Sequence, residues 1–263
     1  ILKPISDASA RLAALQSGEV DWGEVVPVES LESLKSQGYQ VKLNDYPHAW
    51  LYIMNTESGP FADARVRQAF SMSINREGLC NDILQGVGTP LAQLMYPGSP
   101  WYAEGVEEYT YNPERAKELL AEAGYPDGFS MKIEAPTGRY TMDAEISQAI
   151  VAMLSQVGIT VDLQLLESSA YSNVFSAHSA EDGFMTCFGL GFFDASYGMI
   201  GYFGVNTSGE SNWNNQEYID MYYEAEFNMN EEERTQLFQE MQQMVADEVP
   251  YAIICQIDNS YGV

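Results

Sequence analysis

The stretch YIMNTESGPFADARVRQAFSMSINRE, residues 52–77, contains the change of periodicity that decides the fold. Its start belongs to an apolar run from Trp50 to Asn55, which is typical of a buried strand. Further along, four apolar or small residues fall at i, i+3, i+4 and i+7, which is the spacing of one helical face. The residues on that face are Val66, Ala69, Phe70 and Ser73. The stretch therefore predicts a strand followed by an amphipathic helix.

Strands and helices continue to alternate on both sides of this stretch. Asn112 followed by Pro113 predicts a helix start, because Asn accepts a backbone hydrogen bond at the N-cap and Pro suits the first helical turn. Asn230 with Glu233 predicts a capping box at a later helix. Strands are predicted at about residues 20–26, 39–46, 129–135, 159–165, 183–189 and 251–257. Strands that alternate with helices indicate an α/β fold with mixed sheets.

The net charge of the chain argues against one class of partner. Twelve Lys and Arg residues stand against 38 Asp and Glu residues, so the formal net charge is −26 at pH 7. Such a field repels phosphate backbones, and we predict no binding to nucleic acid. The acid either keeps a secreted protein soluble or concentrates cationic and zwitterionic solutes, and the composition leaves both interpretations open. On the helix of the opening stretch, Arg65 and Arg67 are interpreted as partners of nearby acids.

The cysteines and histidines predict neither a metal site nor a disulfide framework. The three cysteines are Cys80, Cys187 and Cys255, and the histidines are His48 and His178. An odd, sparse count without a C-x-x-C pair argues against a disulfide framework and a thiolate zinc site. Cys187 and Cys255 lie in apolar runs, where a buried free thiol is expected.

No catalytic constellation is recognisable in the sequence. It contains no nucleophile elbow, phosphate-binding loop, dinucleotide fingerprint or metal-binding histidine pair. We therefore predict no enzyme activity, no cofactor and no metal.

The ends of the chain indicate a piece of a longer protein. Residues 1–5 resemble a strand entered in the middle of a domain, and no basic start with a short apolar run precedes them. No stretch approaches the roughly 20 consecutive apolar residues that span a bilayer.

Several segments, in one order, resemble the family 5 solute-binding proteins, the group of oligopeptide, dipeptide and nickel binders. Residues 52–77 resemble that family's Asn-ending strand followed by P-F-x-D-x-R-V-R-Q-A. The other matching segments are ARLAALQSGEVDW (10–22), YNPERAKELLAEAGYPDGF (111–129), ISQAIVAMLSQVGITVDLQ (146–164) and, more weakly, NWNNQEYIDMYYEA (212–225).

The resemblance implies a periplasmic-binding-protein-like class II fold, in which two lobes around a hinge enclose a solute. The predicted division assigns residues 1–50 to the N-terminal lobe, 51–248 to the C-terminal lobe and 249–263 to strands that return towards the N-terminal lobe. The resemblance further implies an extracytoplasmic protein, lipid-anchored in its full-length form. It would carry a small peptide or similar solute to the permease subunits of an ABC importer, and we expect a monomer.

The candidate cation for such a solute is Arg139, in PTGRYTMD (136–143). It lies in a turn between a predicted strand and the helix near Asp143, where the helix N-terminus and a bidentate guanidinium both favour a carboxylate. The resemblance to the dipeptide-binding branch implies that this arginine holds the ligand carboxylate. The alternative is an arginine that pins the turn to a neighbouring acid.

The candidate anion is Asp194, in GLGFFDASYG (189–198). The resemblance to peptide-binding members implies that an aspartate after a Gly-aromatic stretch pairs with the ligand ammonium. The family pattern continues with an acidic residue and a proline, whereas this chain has Ser-Tyr-Gly at 196–198. That departure leaves the ligand class open. The alternative role is an N-cap for a turn that starts near Ala195.

Aromatic side chains are the candidates for the walls of the site. They provide contact area without strict hydrogen-bond demands, and ordinary core packing is the alternative for each of them. These residues are Trp50, Trp101, Tyr140, Phe192, Phe193 and Tyr197.

Three other functions stay open. The same fold could bind a nickel chelate, haem or an oligosaccharide. Facing carboxylates could form a hydrolase site, because acidic residues abound. A ligand-sensing domain of a transcriptional regulator is a third, against which the net charge counts. We predict capture of a peptide by closure of the lobes, without catalysis.

Overall fold

The computed structural model of the protein describes residues 1–5, 7–44, 48–106, 109–177, 179–189, 194–196 and 213–263. The described strands are β1 (Gly23–Glu24), β2 (Val41–Asn44), β3 (His48–Met54), β4 (Gly88–Pro90), β5 (Phe129–Pro136), β6 (Ile159–Leu166), β7 (Gly183–Gly189), β8 (Tyr251–Ile257) and β9 (Asn259–Gly262). The described α-helices are α1 (Ala8–Gln16), α2 (Leu31–Ser36), α3 (Ala64–Met72), α4 (Arg76–Gly78), α5 (Pro113–Glu122), α6 (Asp143–Gln156), α7 (Ser168–Ala177), α8 (Gln216–Phe227) and α9 (Glu231–Glu248). Shorter helical turns are Val28–Ser30, Pro60–Ala62 and the π-helical turn Leu79–Ile83.

The larger sheet has six strands in the order β4-β8-β3-β7-β5-β6. β5 pairs in parallel with both β6 and β7, whereas β3 runs antiparallel to β7 and to β8. The strands β5, β6, β7 and β8 therefore end at one edge of the sheet, where β3 begins. We call this edge, which contains His48, Pro136, Leu166 and Gly189, the carboxyl edge. The mixed α/β fold predicted from the alternating pattern is confirmed.

Each face of the larger sheet has its own core, and β3 shows how the sequence divides them. Successive side chains of a strand point to opposite faces. Trp50, Tyr52 and Met54 pack into a cluster with helices α3, α5 and α6, which we call the first core. Ala49, Leu51 and Ile53 pack into a cluster with helices α8 and α9, which we call the second core. β3 is buried on both faces because helices cover both.

The smaller sheet is formed by β9 between β1 and β2, both antiparallel to it. Its core includes Leu15, Val26, Leu31 and Leu34. The chain crosses from the smaller to the larger sheet between β2 and β3 and returns at Asp258, between β8 and β9. The strand predicted at 20–26 is reduced to the two residues of β1, which are the ones that face a partner on β9.

Two glycines allow β5 and β6 to begin side by side. Gly128 has a φ of 76°, and a Cβ on it would lie 1.9 Å from the carbonyl oxygen of Gly158. Gly158 has a φ of 92° and ends the turn after α6. Only residues without a side chain permit this approach of the two backbones.

Local caps mostly follow the predictions. Asn112 accepts a hydrogen bond from the backbone N–H of Arg115 and caps α5 as expected. Asn230 accepts from the N–H groups of Glu232 and Glu233 at the start of α9. The capping box was wrong in its second half: Glu233 accepts from the side-chain amide of Asn228, and Asn228 also receives the N–H of Asn230.

The two arginines of α3 have different roles. Arg65 forms the predicted ion pair, with Asp63. Arg67 is only 4% exposed and lies near the charges of Glu248 and Asp63, but it forms no ion pair with a described acid. It donates instead to carbonyl oxygens of Phe61 and Ala62 and, at the end of α9, of Glu248 and Val249. Arg67 thus caps the C-terminus of α9, where carbonyl groups lack helical partners.

Within the described ranges, no helix is both long enough and apolar enough to cross a membrane.

Candidate functional site

The loop after β5 is organised around the carboxylate of Asp143. This residue is 3% exposed and begins α6. Its Oδ2 accepts the backbone N–H groups of Arg139 and Tyr140, each at 2.9 Å, and its Oδ1 accepts that of Gly138 at 3.0 Å. Bonds to an ionised acceptor are stronger than neutral ones, so the loop is held firmly at the carboxyl edge.

Arg139 projects from this loop over two tyrosine rings. Its guanidinium carbon lies 5.3 Å from the centroid of the Tyr140 ring and 5.0 Å from that of Tyr171, and its Nε donates to the Tyr140 hydroxyl at 3.0 Å. The side chain is exposed, and no carboxylate among the described residues lies within 4.0 Å of it. The alternative role of Arg139 was to pin the turn to a neighbouring acid through its side chain. In the described part of the chain no acid forms such an ion pair with it. The backbone of Arg139 is what Asp143 holds.

The tyrosines under Arg139 belong to an aromatic wall that includes Trp50. The rings of Trp50 and Tyr140 are 5.4 Å apart, and those of Tyr140 and Tyr171 are 6.3 Å apart and nearly perpendicular. The Tyr171 hydroxyl donates to Oγ1 of Thr186 at 3.0 Å. Burial raises the pKa of Tyr171 well above its ordinary value, so it stays neutral. Tyr140 is half-buried, whereas Trp50 is buried and supports Tyr140 from the first core.

His48 and Cys187 complete this end of the sheet. They lie on the paired strands β3 and β7, and Nδ1 of His48 is 3.7 Å from Sγ of Cys187. Burial lowers the pKa of His48, which keeps its ring neutral at pH 7. Cys187 is half-buried rather than enclosed, because it is close to the end of β7.

Asp194 follows β7 but belongs to the other face of the sheet. Its Oδ1 accepts from Nη2 of Arg234 at 2.7 Å and from the backbone N–H and the hydroxyl of Ser196. The bond to the N–H of Ser196 has the form of the capping role considered as the alternative. Burial acts to raise the pKa of Asp194, but the hydrogen bonds from Arg234 and Ser196 outweigh burial and hold that pKa below its ordinary value.

The two halves of the predicted site are therefore at one edge but in separate groups. Arg139, Tyr140 and Trp50 form one group with Tyr171. Asp194 is connected to Arg234 on α9, whose guanidinium lies 4.8 Å from the Phe238 ring of the second core. No hydrogen bond or ion pair between described residues joins the groups.

Of the remaining predicted wall residues, Trp101 is described by the structure and belongs to neither group. Trp101 packs against the second core, and its carbonyl oxygen accepts from the amide of Gln242 on α9. Phe192, Phe193 and Tyr197 lie outside the described residues. Sequence reasoning missed Tyr171, His48 and Arg234, since each acquires its neighbours only by strand pairing or helix packing. One signal in the sequence pointed to this end of the sheet: Cys187 lies close to the end of the strand predicted at 183–189.

A cavity of about 540 Å³ lies elsewhere, next to β4 and the start of β8. Arg76, Tyr102, Tyr109, Tyr251 and Ile253 are among the residues that line it. None of the predicted ligand residues does. The guanidinium of Arg76 is occupied by the carbonyl groups of Ser71, Tyr109 and Ile253.

Comparison with known proteins places this architecture in context. The family profile described as "Bacterial extracellular solute-binding proteins, family 5 Middle" matches residues 1–210. Heme-binding protein A of Haemophilus influenzae is 28% identical over 266 residues, which cover 95% of this chain and 47% of that protein. Glutathione-binding protein GsiB of Salmonella choleraesuis is 26% identical over 260 residues, which cover 95% of this chain and 50% of that protein. The chain spans about half the length of the curated relatives it matches.

A solved structure shares the fold over the whole chain. The periplasmic binding protein DppA from Helicobacter pylori, in complex with the peptide STSA, superposes with a TM-score of 0.89 at 21% identity, over 99% of this chain and 51% of that one. This likeness confirms the predicted binding-protein fold. Because the family profile covers most of the sequence, the chain belongs to the bacterial extracellular solute-binding proteins of family 5.

Proposed function

We propose that the chain is part of the substrate-binding component of an ABC importer, which captures a peptide between two lobes and presents it to the membrane permease subunits. The observation that carries the proposal is the exposed guanidinium of Arg139 over the aromatic wall at the carboxyl edge. Two relatives support a peptide as the cargo. The Salmonella relative is named for glutathione, a tripeptide, and the Helicobacter protein was solved with the peptide STSA.

Arg139 has the properties of an anchor for the peptide carboxylate. Its backbone is fixed by Asp143, and its side chain rests on Tyr140 and Tyr171, so little freedom is lost when a ligand binds. Within the described part of the chain no acid pairs with the guanidinium, so its edge could receive two carboxylate oxygens, which is the strongest geometry for such a pair. Tyr140 would contribute apolar contact to the same ligand.

Asp194 would bind the peptide ammonium while it remains paired with Arg234. All three of its hydrogen bonds from described residues end on Oδ1, and Oδ2 receives none from that part of the chain. Its depressed pKa keeps the carboxylate charged at neutral pH. We retain Phe192, Phe193 and Tyr197 as proposed wall residues next to it.

The two connections between the sheets, from β2 to β3 and at Asp258, are the proposed hinge. The predicted division into residues 1–50, 51–248 and 249–263 is adjusted in this proposal, because all of β3 and β8 pair within the larger sheet and so belong with the C-terminal lobe. Contacts of one solute to both lobes favour the closed form, and the permease recognises that form. The proposed setting is extracytoplasmic, with a monomer held at the membrane by a lipid anchor.

A second candidate cargo is haem or a metal chelate. His48 and Cys187 offer nitrogen and sulfur 3.7 Å apart at the same edge, and both are ligands that borderline and soft metals accept. The Haemophilus relative is named for haem.

A comparison of modified peptides tests the two anchors separately. The probes are the tetrapeptide Ser-Thr-Ser-Ala, its C-terminal amide and its N-acetyl form, titrated calorimetrically into the full-length protein. Arg139→Ala should weaken binding of the free peptide tenfold or more, on the scale of a lost charge-assisted hydrogen bond, and should change binding of the amide little. Asp194→Asn should do the same for the free peptide and little for the N-acetyl form. Arg115→Ala is the matched control, because Arg115 is an exposed arginine paired with Glu118 and Glu122 on α5.

Unchanged affinity in both site variants would reject the assignment of the anchors. A thermal-shift comparison decides the cargo, because a ligand that binds only the folded state raises the melting temperature. Stabilisation by haem or a nickel–histidine complex, with none by a set of di- to pentapeptides, would replace the peptide by the second candidate.

A further inference from the structure

The cavity next to β4 and the start of β8 exists because β4 is short. β4 ends at Pro90, and the N–H of Leu91 donates one further backbone hydrogen bond to β8, at the carbonyl oxygen of Ile254. Beyond this point Arg76 bonds to β8 in place of a strand, since its Nε donates to the carbonyl oxygen of Ile253 at 2.7 Å. The cavity of about 540 Å³ therefore lies along the part of β8 that a longer β4 would cover.

This cavity is remote from the carboxyl edge and from Arg139. Tyr251, which begins β8, lines the cavity, whereas Ile257 ends β8 at that edge. The seven residues of β8 span roughly 20 Å at about 3.3 Å per residue. Arg139 follows β5, which is separated from β8 by β3 and β7. The volume is within the roughly 300–1,000 Å³ that is typical of small-molecule sites, so the cavity could hold a ligand of its own.

The floor of the cavity is apolar and comes from both cores. Ile74 belongs to the first core, and Leu91, Val245 and Ile253 belong to the second. All four side chains are buried. A hydrocarbon group that covers such a floor leaves water, which is favourable. The floor therefore suits the apolar body of a small molecule.

The exposed part of the lining forms the mouth of the cavity and is polar. It includes Glu77, Thr110 and Tyr111. Within the described part of the chain, the carboxylate of Glu77 has no hydrogen-bond or ion-pair partner. Tyr102 also lines the cavity, and the face of a tyrosine ring attracts a cation that contacts it. These groups favour a positively charged head group at the mouth.

Arg76, the cation among the described lining residues, is engaged with the protein itself. Besides its bond to Ile253, the guanidinium donates through Nη1 to the carbonyl oxygens of Ser71 and Tyr109 and through Nη2 to the hydroxyl of Ser71. All three of its nitrogens are thus used, and an anionic ligand would find few donors. The net charge of −26 also opposes an anion.

We propose that this cavity is a second binding site, which takes a small amine with an aromatic or aliphatic body. The hydrocarbon part of the amine lies on the apolar floor, and its ammonium lies at the mouth beside the Glu77 carboxylate and the tyrosine rings. The site goes beyond the proposed function, because no residue of the Arg139 group or the Asp194 group lines it.

Calorimetric titration of the full-length protein with three probes of similar size tests the ligand class. The probes are phenethylamine, phenethyl alcohol and hydrocinnamate, which carry a cationic, a neutral and an anionic head on the same ring. The amine should bind most tightly, the alcohol about three- to fivefold more weakly, as for loss of one exposed ion pair, and the carboxylate most weakly. Equal affinity for the amine and the alcohol, tighter binding of the carboxylate, or no binding of the amine in the millimolar range would overturn the proposal.

Two variants locate the bound amine. Ala92→Phe fills the cavity and Thr110→Trp obstructs its mouth, and each should weaken amine binding about tenfold or more because the ligand competes with the added ring for space. Thr110 is exposed, so its variant should fold even where Ala92→Phe does not. Unchanged amine affinity in the folded variants would contradict the site.

A third variant tests the head group. Glu77→Gln should lower the affinity for the amine to that for the alcohol and leave the alcohol unaffected. Glu29→Gln is the matched control, because Glu29 is an exposed carboxylate that does not line the cavity. Equal effects of the two substitutions on amine binding would refute the role of Glu77.

Competition separates this site from the peptide site. An excess of Ser-Thr-Ser-Ala and the variant Arg139→Ala should both leave amine binding unchanged. Displacement of the amine by the peptide, or loss of amine binding in Arg139→Ala, would put the amine in the peptide site and overturn the proposal. Absence of peptide binding would contradict the proposed function alone, since the amine is measured by itself.

Discussion

Nη2 of Arg234 lies 2.7 Å from Oδ1 of Asp194 and connects α9 to the segment after β7. The pair is partly buried, and Ser196 completes the hydrogen bonds to the same oxygen. Asp194 is thus held in place before any ligand arrives.

This ion pair predicts a stability loss in acid. Asp194 has a pKa below its ordinary value of 3.8 in the folded protein, so it contributes stability above that value, and the contribution is lost as the pH falls through the folded-state pKa. Arg234→Gln should remove most of this pH dependence. Because Asp194 is about a third exposed, the variant should lose less than about 1 kcal/mol at pH 5. Urea unfolding from about pH 5 to pH 2 measures the difference, with Arg115→Gln as the control, and parallel curves for wild type and Arg234→Gln would contradict it.

Asp143 is predicted to be the most sensitive residue of the Arg139 loop. Asp143→Asn replaces one acceptor oxygen by an amide group that faces N–H donors of Gly138, Arg139 or Tyr140. Loss of two charge-assisted bonds in a buried setting should cost about 2–3 kcal/mol. Urea denaturation measures the cost, and the same variant should weaken binding of peptides with a free carboxylate. A loss below about 0.5 kcal/mol would show that the loop does not depend on this carboxylate.

Tyr171 allows the ring and the hydroxyl to be tested separately. Tyr171→Phe removes the hydrogen bond to Thr186 and should cost about 1 kcal/mol, but it keeps the ring under Arg139. Tyr171→Ala also removes the ring and should cost about 3–5 kcal/mol, as for other large buried aromatic residues. Peptide affinity should be retained in the first variant and reduced in the second. Equal affinity in both would mean that the ring does not position Arg139.

Arg67 and Arg65 should respond very differently to removal. Arg67→Ala leaves the carbonyl groups of Phe61 and Glu248 buried without their donor, and we expect a loss of about 3 kcal/mol or more. Arg65→Ala breaks an exposed pair with Asp63 and an exposed hydrogen bond to the carbonyl oxygen of Glu122, so little measurable change is expected. Urea unfolding of both variants tests the contrast, and similar midpoints would refute the capping role of Arg67.

The sequence predicted most elements because their signals are local. The N-caps Asn112 and Asn230 and the change of spacing within residues 52–77 act over one or two helical turns, and the structure contains the corresponding helices and strand. The predictions were less accurate where the extent of an element or the partner of a side chain depends on residues outside that element. The strand at 20–26 shortened to β1 because only two of its residues face β9, and Glu233 bonded with Asn228 instead of completing a box.

The candidate site was predictable only as a set of residue types. Arg139 was recognisable from its position between a strand and a helix, and Tyr140 followed from being next to it. The support from Tyr171 depends on the packing of α7 beside the loop after β5, and the ion pair of Asp194 depends on α9, which lies far along the chain. No local pattern contains either contact.

By itself the sequence determined the order of strands and helices, the strongly acidic surface and the residue types available to a zwitterionic solute. The order of elements follows from backbone preferences, which act between near neighbours. The charge and the available residue types follow from the composition. Tertiary structure alone decided that Arg139 lies on two tyrosines and that Asp194 pairs with Arg234. Those contacts arise from strand pairing and helix packing, which bring together side chains that have no relation along the chain.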